Sequence, residues 1–169
     1  MSKGVKIILI FCLIGSFFFF LMPALKTIKK LDKLVNIEVR PTPYSLKTSK
    51  LSLLNIRTNK MDTIPLYGIT LINFWASWCK PCIEEEPSLE DLKSNNNVNI
   101  LLLSFDSLIS QRKIISDQKW NLPAYFVRDT SVFNTPDILP MSYIIKDSTV
   151  LEIVYGKRNW SDSSINKYK

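Results

Sequence analysis

The sequence predicts an α/β domain, its sheet part parallel and part antiparallel, carried behind one amino-terminal membrane segment. Three observations lead there. Ile7 to Leu25 is a run of 19 residues without a charge. Beyond it, short apolar runs alternate with helical patterns, and the last two runs are joined by the turn Asp147-Ser148-Thr149 as a hairpin. A chain of 169 residues has room for one such domain and an appendage, not for two substantial cores.

Composition narrows the function. Apolar residues make up 46% and charged residues 22%, which argues for a folded chain. The net charge of +7 is local: residues 1 to 40 hold seven Lys or Arg against Asp32 and Glu38, a net of +5, which leaves +2 for the remaining 129. Once partitioned, the charge gives nucleic-acid binding no support. The chain has no His, which excludes Cys-His and Ser-His nucleophile pairs and His-ligated metals. Three cysteines are too few for a disulfide framework, so their spacing matters more than their number.

The elements follow in order. Ile7 to Leu25 would reach roughly 28 Å as a helix, enough to span a lipid bilayer, so residues 1–25 read as an anchor. Cleavage as a signal peptide is disfavoured by Met22-Pro23-Ala24, which lacks a small outer residue. Cys12, preceded by Leu9-Ile10-Phe11, lacks a lipoprotein signal and reads as apolar filler. Residues 26–50 read as a basic juxtamembrane helix, with Leu31, Leu34, Val35 and Val39 on one face, and then a spacer begun by Pro41 and Pro43. The soluble domain is expected over 51–169. Lysines at 26, 29, 30 and 33 favour a cytoplasmic domain by the positive-inside count. The six-residue leader resembles an export signal, and with the redox motif below it places the domain outside the cytoplasmic membrane, facing the periplasm or cell exterior.

Within the domain, Leu51 to Arg57 reads as a strand, and Thr70 to Trp75 as a central strand covered on both faces. Residues 82 to 94 look helical, Val98 to Phe105 is a third strand, and Leu108 to Trp120 is an amphipathic helix with Leu108, Ile109, Ile114 and Ile115 apolar. Ala124 to Val127, Ser142 to Lys146 and Val150 to Tyr155 complete the strands, and Ser161 can cap a short terminal helix.

Trp78-Cys79-Lys80-Pro81-Cys82 falls where the central strand gives way to a helix. A helix start offers unpaired amides and a positive dipole end, both of which stabilise a thiolate. Cys79, the outer residue, is the expected nucleophile, with weak help from Lys80. Cys82, inside the first turn, can attack the resulting mixed disulfide. Pro81 sits where a missing amide costs least and keeps the loop stiff. A zinc half-site lacks a second cysteine pair and any His, and an inert buried pair is the other alternative.

The segment Leu71-Ile72-Asn73-Phe74-Trp75-Ala76-Ser77-Trp78-Cys79-Lys80-Pro81-Cys82, followed by Glu85 and Pro87, resembles the active-site segment of membrane-anchored thioredoxin-like proteins of the TlpA/ResA type. The resemblance covers about residues 51 to 160. It implies a thioredoxin fold, a mixed sheet flanked by helices, with an amino-terminal β extension. It also implies a tethered thiol-disulfide oxidoreductase that takes electrons from a membrane thiol donor and reduces disulfide-containing protein substrates. Cytochrome c maturation is among the family's roles. No cofactor beyond the Cys79–Cys82 dithiol and no metal is implied.

Thioredoxins carry a buried, proton-relaying Asp where this chain has Asn73, which cannot titrate. Glu85, three residues after Cys82 and so on the same helix face, is the candidate replacement, since burial raises a carboxyl pKa toward the useful range. The competing reading makes Glu84, Glu85 and Glu86 one solvated acidic run. Pro87 removes the amide that would bond the carbonyl of Ile83, so a kink is expected. Trp78 is expected to shield the disulfide and form part of the docking surface. The family's cis-proline falls on Pro140, leaving the polar backbone of Leu139 free to pair with an extended substrate. Met141 follows where the family commonly has Thr, and Pro123 and Pro136 do not precede a strand at the right distance.

Three other functions compete. A disulfide-donating oxidase of the DsbA kind differs only in potential, and strongly oxidising relatives often carry a His between the cysteines, which this chain lacks. A peroxiredoxin-like peroxidase would need Pro-x-x-x-Thr-x-x-Cys around Cys79. A non-catalytic anchored binding module would use the cysteines only as a staple.

Overall fold

The computed structural model describes residues 38, 39, 43–95, 97–128, 132, 133 and 136–169. The expected membrane anchor Ile7 to Leu25, Cys12 and the basic stretch that follows as far as residue 37 lie outside the described residues. Among the described residues no helix is long and apolar enough to cross a membrane.

The strands are β1 (Glu38–Val39), β2 (Tyr44–Ser45), β3 (Lys50–Asn55), β4 (Met61–Pro65), β5 (Ile69–Phe74), β6 (Asn99–Ser104), β7 (Ala124–Phe126), β8 (Met141–Lys146) and β9 (Thr149–Tyr155). The helices are α1 (Lys80–Asn95), α2 (Leu108–Asp117) and α3 (Asp162–Asn166). The strands join in one sheet of order β1-β9-β8-β5-β6-β7-β3-β4, with β2 also on β9. β6 runs parallel to both β5 and β7, and the other pairings are antiparallel.

The continuous apolar run ends up where its composition demands. All six residues of β5 are buried, between β6 on one side and β8 on the other. Alternation divides its side chains between two cores. Leu71 joins Leu89 and Leu92 of α1, Ile115 of α2, Ile165 of α3, Ile100, Leu102, Trp120 and both cysteines. Ile72 and Phe74 join Leu51, Leu53, Leu101, Leu103, Phe133, Tyr143 and Ile153. Each such side chain, fully buried, contributes about 1.5–3 kcal/mol. Phe74 meets Phe133 and Tyr143 edge-on, both at 5.6 Å between ring centroids. The three helices all feed the first cluster, whereas the second is built from strand and loop residues.

Four readings are corrected. The stretch read as a basic helix and spacer up to residue 50 contributes strands: Glu38 pairs with Val154 and Tyr44 with Val150. Met61–Pro65, not recognised as a strand, pairs with β3 at the end of the sheet, where one-sided exposure leaves little apolar signal. Helix α2 ends at Asp117 rather than Trp120. Lys119 turns left-handed at φ 55°, its amide bonds Ser116 O and that of Trp120 bonds Ile115 O, a Schellman closure that sends Trp120 into the core. Ile109, counted with the apolar face, is 79% exposed.

The hairpin loop is Asp147-Ser148, with φ of 48° and 67°, as a two-residue type I′ connection requires. Asp147 Oδ1 also accepts from Gly68 N at 2.8 Å. Arg57, just beyond β3, donates to the carbonyls of Leu122 and Trp120 at 2.8 and 2.6 Å and so fastens the amino-terminal hairpin to the loop ahead of β7.

Glu86 is an exception to the apolar face of α1. It is buried, and its Oε1 has no hydrogen-bond partner among the described residues. Burial, and then the neighbouring carboxyl of Glu90, push its pKa up to about 8. A carboxyl whose folded pKa exceeds its unfolded value contributes stability that is complete below about pH 4.5 and is lost as pH rises through 8. Glu86→Gln, which keeps the shape without the charge, is therefore expected to remove this loss. Thermal melts from pH 5 to 9 should show the variant about 5 °C more stable than wild type at pH 8.5 and little different at pH 5.

Candidate active site

The end of β5 and the start of α1 form a tight corner. Trp75 N donates to Leu103 O at 3.0 Å, which continues the ladder one residue past the strand. Asp106 then gathers the loop: its Oδ2 accepts from Ser77 N at 3.0 Å and from Ser77 Oγ, and its Oδ1 from Ser107 N at 2.7 Å. Burial opposes ionisation of Asp106, but these donors outweigh it and hold its carboxyl below the usual range.

Cys79 is the cap of α1. Its carbonyl accepts from the amides of Cys82 and Ile83, at 3.1 and 3.2 Å. The amide of Cys82 also points at Cys79 Sγ, 3.3 Å away. The sulfur thus occupies the place where a capping oxygen would satisfy a first-turn amide, the site where negative charge is most stabilised. Cys79 and Cys82 are joined as a disulfide with Cα atoms 5.3 Å apart, and both are buried. Pro81 lies in the first turn as expected, and α1 stays helical through Pro87.

Trp78, next to the nucleophile, is 73% exposed. With Trp75, Phe105, Leu139 and the carboxyl-bearing Asp106 and Asp137 it lines a groove next to the cysteine corner. The Leu139-Pro140 bond is cis. Pro140 O accepts from Gly156 N at 2.8 Å, and Gly156 holds φ 79°, a conformation suited to glycine. The backbone amide and carbonyl of Leu139 have no hydrogen-bond partner among the described residues. Pairing of Phe74 with Met141 and of Asn73 with Ser142 sets this loop alongside the cysteine corner.

Glu85 is not part of a solvated acidic run. It is 1% exposed, whereas Glu84 next to it is exposed and paired with Lys157 at 2.7 Å. Glu85 Oε1 accepts from Trp160 Nε1 at 2.7 Å and from Arg158 N at 3.0 Å, and Oε2 accepts from Asn73 Nδ2 at 3.1 Å. The same Asn73 amide donates to Ser142 Oγ at 2.9 Å. Burial raises the Glu85 pKa to about 7, and these donors limit the rise. Asn73, unable to titrate, is a link between the carboxyl and the strand after Pro140.

The sequence did not point to Ser142, Arg158, Trp160, Ser77 or Asp106. Arg158 acts through its backbone amide, which no residue type reveals. An Asp beyond the end of a neighbouring strand was the one available signal for Asp106. Among the described residues there is no group of three or more His, Cys, Asp or Glu that could hold a metal.

A sheet of this order, with a disulfide at the start of the first long helix and a cis-proline loop opposite, defines a thioredoxin-like redox domain. Residues 46–151 match the AhpC/TSA family, and the chain belongs to it. It is 30% identical over 103 residues to a thioredoxin of Listeria monocytogenes, covering 60% of this chain and 84% of that one. It is also 30% identical over 94 residues to the thiol-disulfide oxidoreductase ResA of Bacillus cereus, covering 52% of this chain and 54% of ResA. The chain thus spans about half the length of the ResA relatives it matches. A DsbF homologue of Corynebacterium diphtheriae shares the fold with a TM-score of 0.59 at 15% identity, over 77% of this chain and 89% of that one.

The capping geometry makes a selective prediction. After reduction, limiting iodoacetamide at pH 7 should modify Cys79 at least about tenfold faster than Cys82, read by peptide mass spectrometry. Equal rates, or faster modification of Cys82, would contradict the assignment of Cys79 as nucleophile.

Proposed function

We propose that the chain is a membrane-tethered thiol-disulfide oxidoreductase that reduces disulfides in extracytoplasmic proteins. The observation that carries this is the Cys79–Cys82 pair at the start of α1, with a first-turn amide directed at Cys79 Sγ. In the reduced protein, Cys79 thiolate attacks one sulfur of a substrate disulfide, forming a mixed disulfide and releasing the other sulfur as a thiolate. Cys82 then attacks Cys79 Sγ. The Cys79–Cys82 bond forms, the bond to substrate breaks, and the substrate leaves with both sulfurs reduced. A membrane thiol donor returns the domain to the dithiol, and the redox group is the cysteine pair itself.

Glu85 serves as proton acceptor for Cys82. A carboxyl titrating near 7 is present in both forms at neutral pH, so it can take the Cys82 proton and give it back when the dithiol is regenerated. The amide and carbonyl of Leu139, without a partner among the described residues, suit one edge of an extended substrate, and exposed Trp78 offers it an apolar wall. Tethering rests on the apolar run Ile7 to Leu25 and on the likeness to ResA, and that likeness makes apocytochrome c one candidate substrate. Peroxidase chemistry has less support, because Ile72 and Ala76 stand where Pro and Thr of its activating pattern would precede Cys79.

Cys82→Ala removes the resolving thiol and should leave substrates bound through Cys79. Acid-quenched cells making this variant are expected to yield mixed disulfides that dithiothreitol releases, and Cys79→Ser/Cys82→Ala should yield none. Failure to trap any partner while Cys79 still reacts with iodoacetamide would count against exchange with proteins.

A further inference from the structure

The shortest hydrogen bond to the Glu85 carboxyl comes from a residue far along the chain that nothing in the sequence ties to the cysteines. Trp160 is 3% exposed, and its indole lies against the helix-side core. It meets Glu85 twice. Its Nε1 donates to Oε1 at 2.7 Å, and its backbone amide donates at 3.1 Å to Ser88 Oγ, which in turn donates to Glu85 O at 2.7 Å. The same segment is held to α1 by Lys157 on Glu84 at 2.7 Å and by the Arg158 amide on Glu85, while the Arg158 guanidinium lies 5.0 Å from the Trp160 ring centroid.

A carboxylate oxygen accepts about two hydrogen bonds in good geometry. Oε1 already takes two, from Trp160 and Arg158, while Oε2 takes one, from Asn73. We propose that Trp160 is a positioning residue for the redox reaction: with the Arg158 amide it occupies Glu85 Oε1, and so directs proton exchange with Cys82 to Oε2. This rests on the reading of Glu85 as proton acceptor. In the resolving step the Cys82 thiol gives its proton to Oε2 and its sulfur forms the bond to Cys79. The Cys79–substrate bond breaks, and the departing substrate thiolate takes up a proton from water. Of the charged groups, Lys157 after β9 acts on Glu85, and Arg158 of the same segment reaches it through its backbone amide; on its own helix Cys82 and Glu84 are the titratable residues three and one positions before it. Asn73 on β5 and Ser142 on β8 are neutral.

The test is the pH dependence of single-turnover reduction of a cystine peptide by the reduced whole chain. It compares wild type, Glu85→Gln, Trp160→Phe, and a protein with 3-benzothienylalanine in place of Trp160, which keeps the bicyclic ring but has sulfur where the N–H was. Loss of a donor disfavours the ionised carboxyl, so both position-160 variants should move the Glu85-dependent limb upward by roughly one pH unit, about a tenfold slower reaction on that limb. Glu85→Gln should abolish the limb. If it does, and neither position-160 variant displaces the midpoint, the role given to Trp160 is wrong while the proton-acceptor reading stands. A uniform loss of rate with the midpoint unmoved means a packing role alone and overturns the proposal equally. If Glu85→Gln leaves the whole profile unchanged, the proton-acceptor reading fails and this inference fails with it. Should Trp160→Phe not fold, the benzothienyl protein, with the indole's volume, decides.

Discussion

A carboxyl group inside a protein core needs donors, and meeting that need at Glu85 draws four parts of the chain to one point. Left unpaired, an ionised carboxylate there would cost several kcal/mol. Asn73 supplies one donor from β5 and links to Ser142 on β8, beside the cis-proline loop. Arg158 and Trp160 supply two more from the segment after β9. The residue lies one turn along α1 from Cys82, so the network that stabilises the carboxyl also fixes the helix start against the loop opposite it. Its donors are enough to keep the group in the core and too few to return its pKa to that of a solvated glutamate.

The three consecutive glutamates show how a helix assigns chemistry by angle. Successive positions are rotated by about 100° around the axis, so neighbours in sequence face different surroundings. Glu84 is exposed, and its pKa is lowered by Lys157 and, to a smaller extent, Lys80. Glu85 meets donors in the core. Glu86 meets the carboxyl of Glu90 with one oxygen unpartnered, and it is pushed up further than Glu85. Two of the three charges expected from the sequence are thus conditional on pH.

The parts of the fold legible in the sequence were those set by strong local patterns. The apolar run of β5, the cysteine pair at the following helix start and the terminal hairpin rest on residue type at short range, whereas the place of Pro140 came from the family resemblance. The three short or edge strands β1, β2 and β4 were not legible. Each has one strand neighbour and little apolar alternation, and only β9 or β3 makes it a strand. Half of the site was hidden for a related reason. The bond between Trp160 and Glu85 spans 75 positions, and the Arg158 donor is a backbone amide. Burial of Glu85 also depends on contacts across the fold, whereas its neighbours in sequence suggest a solvated face.

Glu85, as a core carboxyl, is expected to change protonation near neutral pH while the fold stays intact. The most direct measurement is a carbon-13 NMR titration of the glutamate Cδ resonances, with Glu85 identified by the signal that Glu85→Gln removes. The midpoint is expected near 7 in the disulfide form, well above that of exposed Glu84. A midpoint at the ordinary value near 4.5 would contradict it.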